Sequence, residues 1–468
     1  MNVLNLLIIL GSLGFLMFMA YRGHSVILFA PIAALLAVIL TVPANTLPVF
    51  SGLFMAKMVT FIQNYFPIFL LGALFGKLME VSGFARSIAS AVIKLVGPTR
   101  SIISVVLVGA ILTYGGVSLF VAVFAVYPFA AEMFRQADIP KRLIPATIAL
   151  GAFAFTMDAL PGTPQIQNII PTTYFKTTSF AAPILGTFGG LFVFAVGIAY
   201  LEWRRRVAAK AGEGYGDGHI NEPDLVSLEK MPHWSLAVVP LIIVWVGNLA
   251  FTRLLPIWMP AEITFSPTVV TPSDPIVVKT AANVAVWALE MALVIGIGAV
   301  FALAGRRIVA TFARDSKEAV AGSMLASMNT ASEFGFAGVI ASLPGFLVAA
   351  DALRRIPDPL SNVAITVTTL AGVTGSASGG LSMALAAMGD TFISMAQSAG
   401  IPLEVVHRIA SMASGGMDTL PHNGAVITVL AVTGLTHRQS YKDIFAITVI
   451  KTLTVFVVIA FYALTGLV

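Results

Sequence analysis

The hydrophobic residues of this chain lie in long runs that shorter polar segments separate. A run of about 20 apolar residues is long enough to cross the hydrocarbon core of a bilayer as an α-helix. The pattern therefore predicts an all-α polytopic membrane protein. We expect ten crossings, at 3–20, 25–42, 58–79, 142–157, 180–202, 234–254, 283–304, 322–343, 402–417 and 443–467.

Two further apolar regions, 101–134 and 361–398, do not fit a simple crossing. Each is too long for one helix, and each is interrupted by glycines, in TYGGVS (113–118) and TGSASGGLS (374–382). Two short helices that meet at a glycine-rich tip form a re-entrant hairpin, which the bilayer tolerates only where protein or a water-filled cavity surrounds it. We predict a re-entrant helical hairpin in each region.

The composition supports a membrane protein and narrows its chemistry. The chain has 468 residues, of which 58% are hydrophobic and 10% charged, with a net charge of +5. A soluble domain carries about 25% charged residues. Cysteine is absent, which excludes disulfides, thiol catalysis and cysteine–metal sites. We expect a lipid bilayer around the protein, and no nucleic acid, metal or cofactor.

The positions of the 27 Lys and Arg residues predict the orientation in the membrane. If the N-terminus is outside and both glycine-rich regions are hairpins, most of these residues fall on the inside, as the positive-inside rule requires. Both termini then lie outside, and so does Arg408. Lys451 lies within the last run and is expected to snorkel towards the surface. The first run has no basic segment before it, so we interpret it as a retained helix.

The sequence also repeats. MDALPG (157–162) returns as MDTLPH (417–422), and GGVS (115–118) returns as GGLS (379–382). Two weaker matches keep the same order at nearly the same offset of about 260 residues. Each half then has five crossings, one of them broken, and a hairpin. An odd number inverts the second half, and inverted repeats with broken helices are typical of secondary transporters.

The repeat defines the predicted domains. The first inverted repeat covers 1–203, a cytoplasmic linker covers 204–233, and the second inverted repeat covers 234–468. The linker is rich in glycine and charge. The first hairpin would enter the membrane from the cytoplasm and the second from outside.

Two hairpin tips and two helix breaks occupy equivalent positions and can converge near the bilayer midplane. A broken helix exposes N–H groups that favour an anion and carbonyls that favour a cation. In the first break, Thr163 and Pro164 are expected as the N-cap and first residue of the second half-helix. The candidate substrate-binding residues are Tyr114, Gly115, Gly116, Ser118, Gly162, Thr163, Gln165, Asn168, Ser376, Ser378, Gly379, Gly380, Ser382, His422 and Asn423.

Asp158 and Asp418 are the only acidic residues that match between the repeats. Desolvation favours the neutral form of a buried carboxyl, so either can be the ion-coupling site. The alternative is that each caps exposed N–H groups and holds the break in shape. Glu333 and Glu290 also lie within spans, where they serve function, packing or pairing. His422 is expected as the only histidine near the midplane.

With these motifs the chain resembles the gluconate/hydroxybutyrate permease family of the ion transporter superfamily. The resemblance covers nearly the whole chain and is closer to the hydroxybutyrate-permease branch. It is carried by MDALPGTPQIQNIIPTTYFKT, YGGVSLFVAVFAVYPFA, GSASGGLSMALAAMGD and ASGGMDTLPHNGAVITVL.

The resemblance implies symport of a small organic anion across the bacterial inner membrane, usually with protons. It also implies a homodimer and an elevator-type motion. The scaffold helices would lie within 1–80 and 234–343, and the mobile hairpins and broken helices within 100–180 and 360–435.

The resulting functional prediction is a proton-coupled carboxylate symporter. A sodium-coupled symporter is the nearest alternative, because loop carbonyls also bind Na⁺. A channel is a further alternative. An intramembrane enzyme would need a nucleophile–base pair or a metal cluster, and the sequence has no recognisable motif for either.

Overall fold

The computed structural model describes residues 2–22, 24–97, 100–223, 231–265, 276–346, 348, 355–421 and 423–468. Helices dominate these residues, which confirms the predicted all-α class. Each predicted crossing coincides with a described helix or with a pair of shorter helices, and both hairpin regions are pairs of helices.

In the first half, an irregular helical stretch (Pro43–Asn45, Thr46–Pro48 and Val49–Phe54) leads into α3, and a short 3-10 turn (Lys141–Leu143) leads into α7. The helices are α1 (Asn2–Tyr21), α2 (Val26–Thr41), α3 (Met55–Val81), α4 (Phe84–Val96), α5 (Ser101–Tyr114), α6 (Leu119–Gln136), α7 (Ile144–Ala152), α8 (Phe155–Asp158), α9 (Ile166–Phe175) and α10 (Pro183–Lys210).

In the second half, a 3-10 turn (Gly416–Thr419) follows α16, and strands β1 (Glu262–Phe265) and β2 (Ile276–Lys279) pair antiparallel before α12. The helices are α11 (Trp234–Trp258), α12 (Thr280–Ile308), α13 (Phe312–Ser342), α14 (Pro359–Thr374), α15 (Ala377–Ser398), α16 (Leu403–Gly415), α17 (Gly424–Thr433) and α18 (His437–Thr465).

The helices pack as two groups. The long helices α3, α11, α12 and α13 pack on one another, with α1 and α2 beside them. The hairpin helices and the half-helices pack together with α10 and α18. Helix α15 of the second hairpin packs against α13, so this hairpin joins the two groups. The inverted orientation of the halves and the elevator motion stay predictions.

Helix α4 was not predicted, because 13 residues are too few for a crossing. Its apolar side chains recur at helical spacing: Phe84, Ala85, Ile88 and Ala89 are all buried. This spacing is that of an amphipathic helix that packs on one face.

The predicted linker differs from a flexible connection over its described residues. Helix α10 continues to Lys210, and 211–222, which we call the docked segment, lies on the protein surface. The Tyr215 amide donates to Asp138 at 2.9 Å, and the Asn221 side chain donates to the Ala431 carbonyl at 2.9 Å. The docked segment therefore connects α6 of the first half with α17 of the second.

Candidate functional site

The first helix break is built by residues that cannot continue a helix. Helix α8 ends at Asp158, and α9 begins at Ile166. Gly162 has φ of +79°, and its N–H donates to the Ser179 carbonyl at 2.8 Å. A Cβ at this position would collide with the Phe180 ring, so glycine is required. The N-cap of α9 is Gln165, which makes the prediction of Thr163 wrong by two residues.

The second break has the same order of elements. Helix α16 ends at Gly415, a 3-10 turn covers Gly416–Thr419, and α17 begins at Gly424. Asn423 is the N-cap, and its side-chain oxygen accepts from the Ala425 amide at 2.7 Å. His422 lies outside the described residues. The two MD-x-LP motifs thus form corresponding breaks, as the sequence repeat predicted.

Arg408 joins the two breaks, and it is not the surface charge that its assignment to the outside face implied. It lies in α16 and is fully buried. Its guanidinium donates to the Asp158 carbonyl at 3.0 Å, to Asn168 Oδ1 at 2.9 Å and to the Ala181 carbonyl at 2.7 Å. The carbonyl at the C-terminal end of α8 thus interacts with a positive charge, as expected for a helix C-terminus, but this charge is the Arg408 side chain from the second half of the chain and not a bound ion.

Lys451 is also buried, with 3% of its surface exposed, so the prediction that it snorkels is wrong. Its Nζ lies 2.9 Å from Asp158 Oδ2 and forms an ion pair with it. The same ammonium donates to the carbonyls of Phe153, at 2.9 Å, and Gly415. The signal for this pair was an ionisable residue deep in an apolar run, which is functional or paired far more often than it is tolerated alone.

Asp418 connects the second break with the first break and with the second hairpin tip. Gln167 of α9 donates to Asp418 Oδ2 at 2.8 Å. On the other oxygen, Asp418 accepts from the Ala377 amide at 3.1 Å and from Asn423 at 3.2 Å. Asn423 also donates to the Gly375 carbonyl at 2.8 Å. The predicted convergence of these three elements is present in the structure.

The second hairpin tip carries a row of hydroxyl groups. Ser376 is the N-cap of α15 and accepts from the Gly379 amide at 3.1 Å. Ser378 lies 3.4 Å from Ser376 and 3.4 Å from Thr330 of α13, measured between hydroxyl oxygens. Ser382 is fully buried, and its hydroxyl has no hydrogen-bond partner.

The two glycines of this tip allow close approach of neighbouring groups. The Glu333 carboxylate of α13 lies against Gly379, in the space that a Cβ would fill. The backbone of Ala371 lies equally close to Gly380. The tip glycines thus bring α13 and α14 against the start of α15.

The first hairpin tip attaches to its own break. The Tyr114 hydroxyl donates to the Pro161 carbonyl at 2.7 Å and accepts from Trp245 at 2.9 Å. Gln165 donates to the Thr113 carbonyl at 2.7 Å. The other predicted residues of this tip also have close neighbours: Gly116 lies beside Pro164, Gly115 beside Leu241, and Ser118 beside Gly76 of α3.

Two of the predicted substrate-binding side chains hold the first break together. Thr163 donates to the Thr156 carbonyl at 2.6 Å. Asn168 donates to the carbonyls of Thr163 and Ser179 and accepts from Arg408.

A buried histidine, His407, was missed by the sequence analysis. It is fully buried, 2.6 Å from the Thr177 hydroxyl and 3.3 Å from Asn168. The prediction of His422 as the only histidine near the midplane is therefore wrong, because His407 lies against Asn168 of the first break. The pair His407–Arg408 interrupts an apolar run, and that interruption was the available signal.

The described residues contain no group of three or more His, Cys, Asp or Glu side chains that could hold a metal ion. Within the same residues, five helices are long and apolar enough to cross a membrane, and four shorter helices are apolar. The site is therefore a buried junction of two helix breaks and the second hairpin tip within a membrane protein.

Comparison with known proteins identifies the class. The chain is 57% identical over 474 residues to a Bacillus subtilis protein described as the uncharacterized transporter YxjC, and the match covers 99% of this chain and 100% of that protein. The chain belongs to the YxjC family of transporters. No family model matches the chain.

A solved structure supports the fold. The crystal structure of the Alcanivorax borkumensis YdaH transporter, described as having an unusual topology, matches with a TM-score of 0.50 at 16% sequence identity. The match covers 89% of this chain and 87% of that chain. These comparisons show that this member of the YxjC family is a multi-pass membrane transporter and not an enzyme.

Proposed function

We propose that this YxjC-family member is a secondary transporter that imports a small hydroxylated monocarboxylate by proton symport with alternating access. The observation that supports it best is the buried junction in which Asp158 pairs with Lys451 and Asp418 accepts from the backbone of the second hairpin tip. Carboxyls buried within a membrane protein are costly and are typical of ion pathways. The resemblance to gluconate and hydroxybutyrate permeases supports the substrate class.

In this proposal Asp158 and Asp418 are the candidate proton carriers, and the hairpins and broken helices move as an elevator against the scaffold. The protein would lie as a homodimer in the bacterial inner membrane with both termini outside. The N-terminal ends of α9 and α17 would face the substrate carboxylate, because helix N-termini favour anions.

Uptake of hydroxybutyrate or gluconate into proteoliposomes tests the proposal. A pH gradient, acidic outside, should drive accumulation without sodium. If the uptake rate does not depend on the pH gradient, proton coupling is excluded. If single-channel currents are recorded in a bilayer, the protein is a channel and not a carrier.

The variant Asp158→Asn distinguishes a role of Asp158 in proton coupling from a role in holding the first helix break in shape. If Asp158 carries the proton, the variant should lose proton-driven accumulation while it keeps substrate exchange. Equal loss of both would assign Asp158 to the structure of the break. Asp390→Asn, on the same hairpin as the second tip but exposed, is the matched control and should behave as the wild type.

Ser382→Ala tests the second tip. The Ser382 hydroxyl has no partner in the protein, so its loss costs little stability. The apparent KM should rise if this hydroxyl faces substrate, and an unchanged KM would remove Ser382 from the site.

Sodium coupling is the second candidate, and one observation favours it. The acidic side chain beside the second hairpin tip, Glu333, faces the Ser376 hydroxyl, which lies in a row with Ser378 and Thr330, and it has no ion-pair partner among the described residues.

A further inference from the structure

The buried carboxyls of the junction differ in how their charges are compensated. Asp158 is paired with Lys451, and Asp418 accepts hydrogen bonds from Gln167 and from the Ala377 amide. Glu333 is 3% exposed, its Oε2 has no hydrogen-bond partner, and no basic side chain in the described part of the chain forms an ion pair with it.

The local helix dipole does not supply the missing charge. Glu333 and Asp418 both lie at the N-terminus of α15, one against Gly379 and the other on the Ala377 amide. A helix N-terminus supplies roughly half an elementary charge. Two carboxylates on one N-terminus therefore leave a surplus of negative charge in a place where an uncompensated charge is very costly.

A row of hydroxyl groups begins at the Glu333 carboxylate. Ser376 faces the carboxylate, Ser378 lies beside Ser376, and Thr330 stands one helical turn before Glu333 on α13 and approaches Ser378. The hydroxyl of Ser382 is one turn further along α15 and has no partner. Carboxylate and hydroxyl oxygens without nitrogen or sulfur suit a hard cation.

The spacing of the hydroxyls fits a cation of a particular size. The oxygens of Thr330 and Ser378, and those of Ser378 and Ser376, are 3.4 Å apart, which is longer than a good hydroxyl–hydroxyl hydrogen bond. An octahedral cation with metal–oxygen distances of about 2.4 Å, as for Ca²⁺ and ions of similar radius, separates neighbouring oxygens by about 3.4 Å. Na⁺ has this radius, and its single charge would neutralise the charge of Glu333.

We infer that Glu333, with the hydroxyls of Thr330, Ser376 and Ser378, forms a sodium site between α13 and the second hairpin tip. The site is separate from the Asp158–Lys451 pair. As a coupling site it rests on the proposed transport function; as a cation site it rests on this geometry alone. Because a bound cation removes the surplus negative charge, it should also strengthen binding of an organic anion at the junction.

The test measures sodium binding by the full-length purified protein without any organic acid. Thermal unfolding is followed while NaCl replaces choline chloride at constant ionic strength, with KCl as the second comparison. A ligand that binds only the folded state raises Tm, so sodium should raise the wild-type Tm by several degrees with a saturable dependence, and potassium should not.

Variants locate the site. Glu333→Gln, which keeps the side-chain shape, should lose the sodium-specific shift, and Ser378→Ala should raise the sodium midpoint several-fold. Glu290→Gln removes a half-buried glutamate of α12 and serves as the matched control that keeps the shift. No sodium-specific shift in the wild type, an equal shift in Glu333→Gln, or a stabilisation that follows pH rather than sodium would overturn the inference.

The two proposals fail separately. A protein that binds sodium through Glu333 but does not take up hydroxy acids would keep the sodium site and lose the proposed substrate. A protein that takes up hydroxy acids with protons and shows no sodium shift would do the reverse.

Discussion

Asp158 and Glu333 are two buried carboxyls in similar settings with opposite surroundings. They are 2% and 3% exposed, and each occupies space that a glycine leaves free, Gly415 for Asp158 and Gly379 for Glu333. Asp158 faces an ammonium at 2.9 Å, whereas Glu333 faces the Ser376 hydroxyl and has no ion-pair partner among the described residues.

The difference shows which carboxylate has a compensating charge within the protein and which does not. A buried carboxylate with a fixed ammonium is compensated within the protein, and removal of either partner exposes the other to the full desolvation penalty. A buried carboxylate without such a partner gains stability only when a proton or cation arrives. The following predictions test this contrast.

The largest effect should come from Lys451→Met. This change leaves Asp158 charged and without its partner, which costs about 3–5 kcal/mol of folding free energy for a buried pair. Thermal or denaturant unfolding in detergent measures the loss. The double variant Asp158→Asn, Lys451→Met removes both charges and should recover most of that stability. If the two single losses simply add in the double variant, the pair is not coupled.

Glu333→Gln should change the folding free energy in the opposite direction to Lys451→Met. In sodium-free buffer the variant removes an uncompensated buried charge, so we expect unchanged stability or a gain of about 1 kcal/mol. The same unfolding measurement, run beside Asp158→Asn, checks the sign. A loss as large as that of Asp158→Asn would mean that Glu333 is compensated by the fold itself.

Two buried serines also differ in whether the protein supplies a partner for their polar group, and here the expected effects are smaller. Ser411 donates to the carbonyls of Asp158 and Gln167, both at 2.9 Å, whereas the Ser382 hydroxyl has no partner. Ser411→Ala should therefore cost about 1 kcal/mol, while Ser382→Ala should stay within about 0.5 kcal/mol of the wild type. Equal losses would show that Ser382 has a partner in the folded protein.

The sequence predicted the positions of helices and helix breaks better than it predicted which side chains contact each other. Apolar runs locate the crossings, and the repeated MD-x-LP motif locates both breaks, because these signals are local. The positions of Lys451 and Arg408 were wrong because a charge in an apolar run was assigned to the membrane surface, the place where an unpaired charge costs least. Their partners, the carboxylate and the backbone carbonyl of Asp158, lie more than 200 residues away.

The docked segment is a second case in which the sequence did not reveal tertiary partners. Its glycines and charges are typical of a flexible linker. The Tyr127 hydroxyl and the Lys141 ammonium nevertheless donate to the Asn221 and Ile220 carbonyls. These bonds depend on tertiary contacts, which composition does not reveal.

The smallest effect should come from an ion pair of the docked segment at the protein surface. Glu222 accepts from Lys141 at 2.8 Å, from Tyr215 at 3.0 Å and from Arg135. Partial burial raises the pKa of Glu222, but these hydrogen bonds outweigh it and hold the pKa below its ordinary value. A lowered pKa in the folded state stabilises the protein above the unfolded-state pKa of about 4.3, and this stability is lost as pH falls through the folded-state pKa.

Glu222→Gln should therefore reduce stability at pH 7 by less than Lys451→Met does, because the Glu222 side chain is 29% exposed and screened by solvent, although Lys141 is buried. The difference from the wild type should disappear in acid, where Glu222 is protonated and no longer ionic. Thermal unfolding of both proteins at neutral and acidic pH measures it, with Glu262→Gln on β1 as an exposed control. A difference that persists in acid would assign the effect of Glu222 to packing rather than to charge.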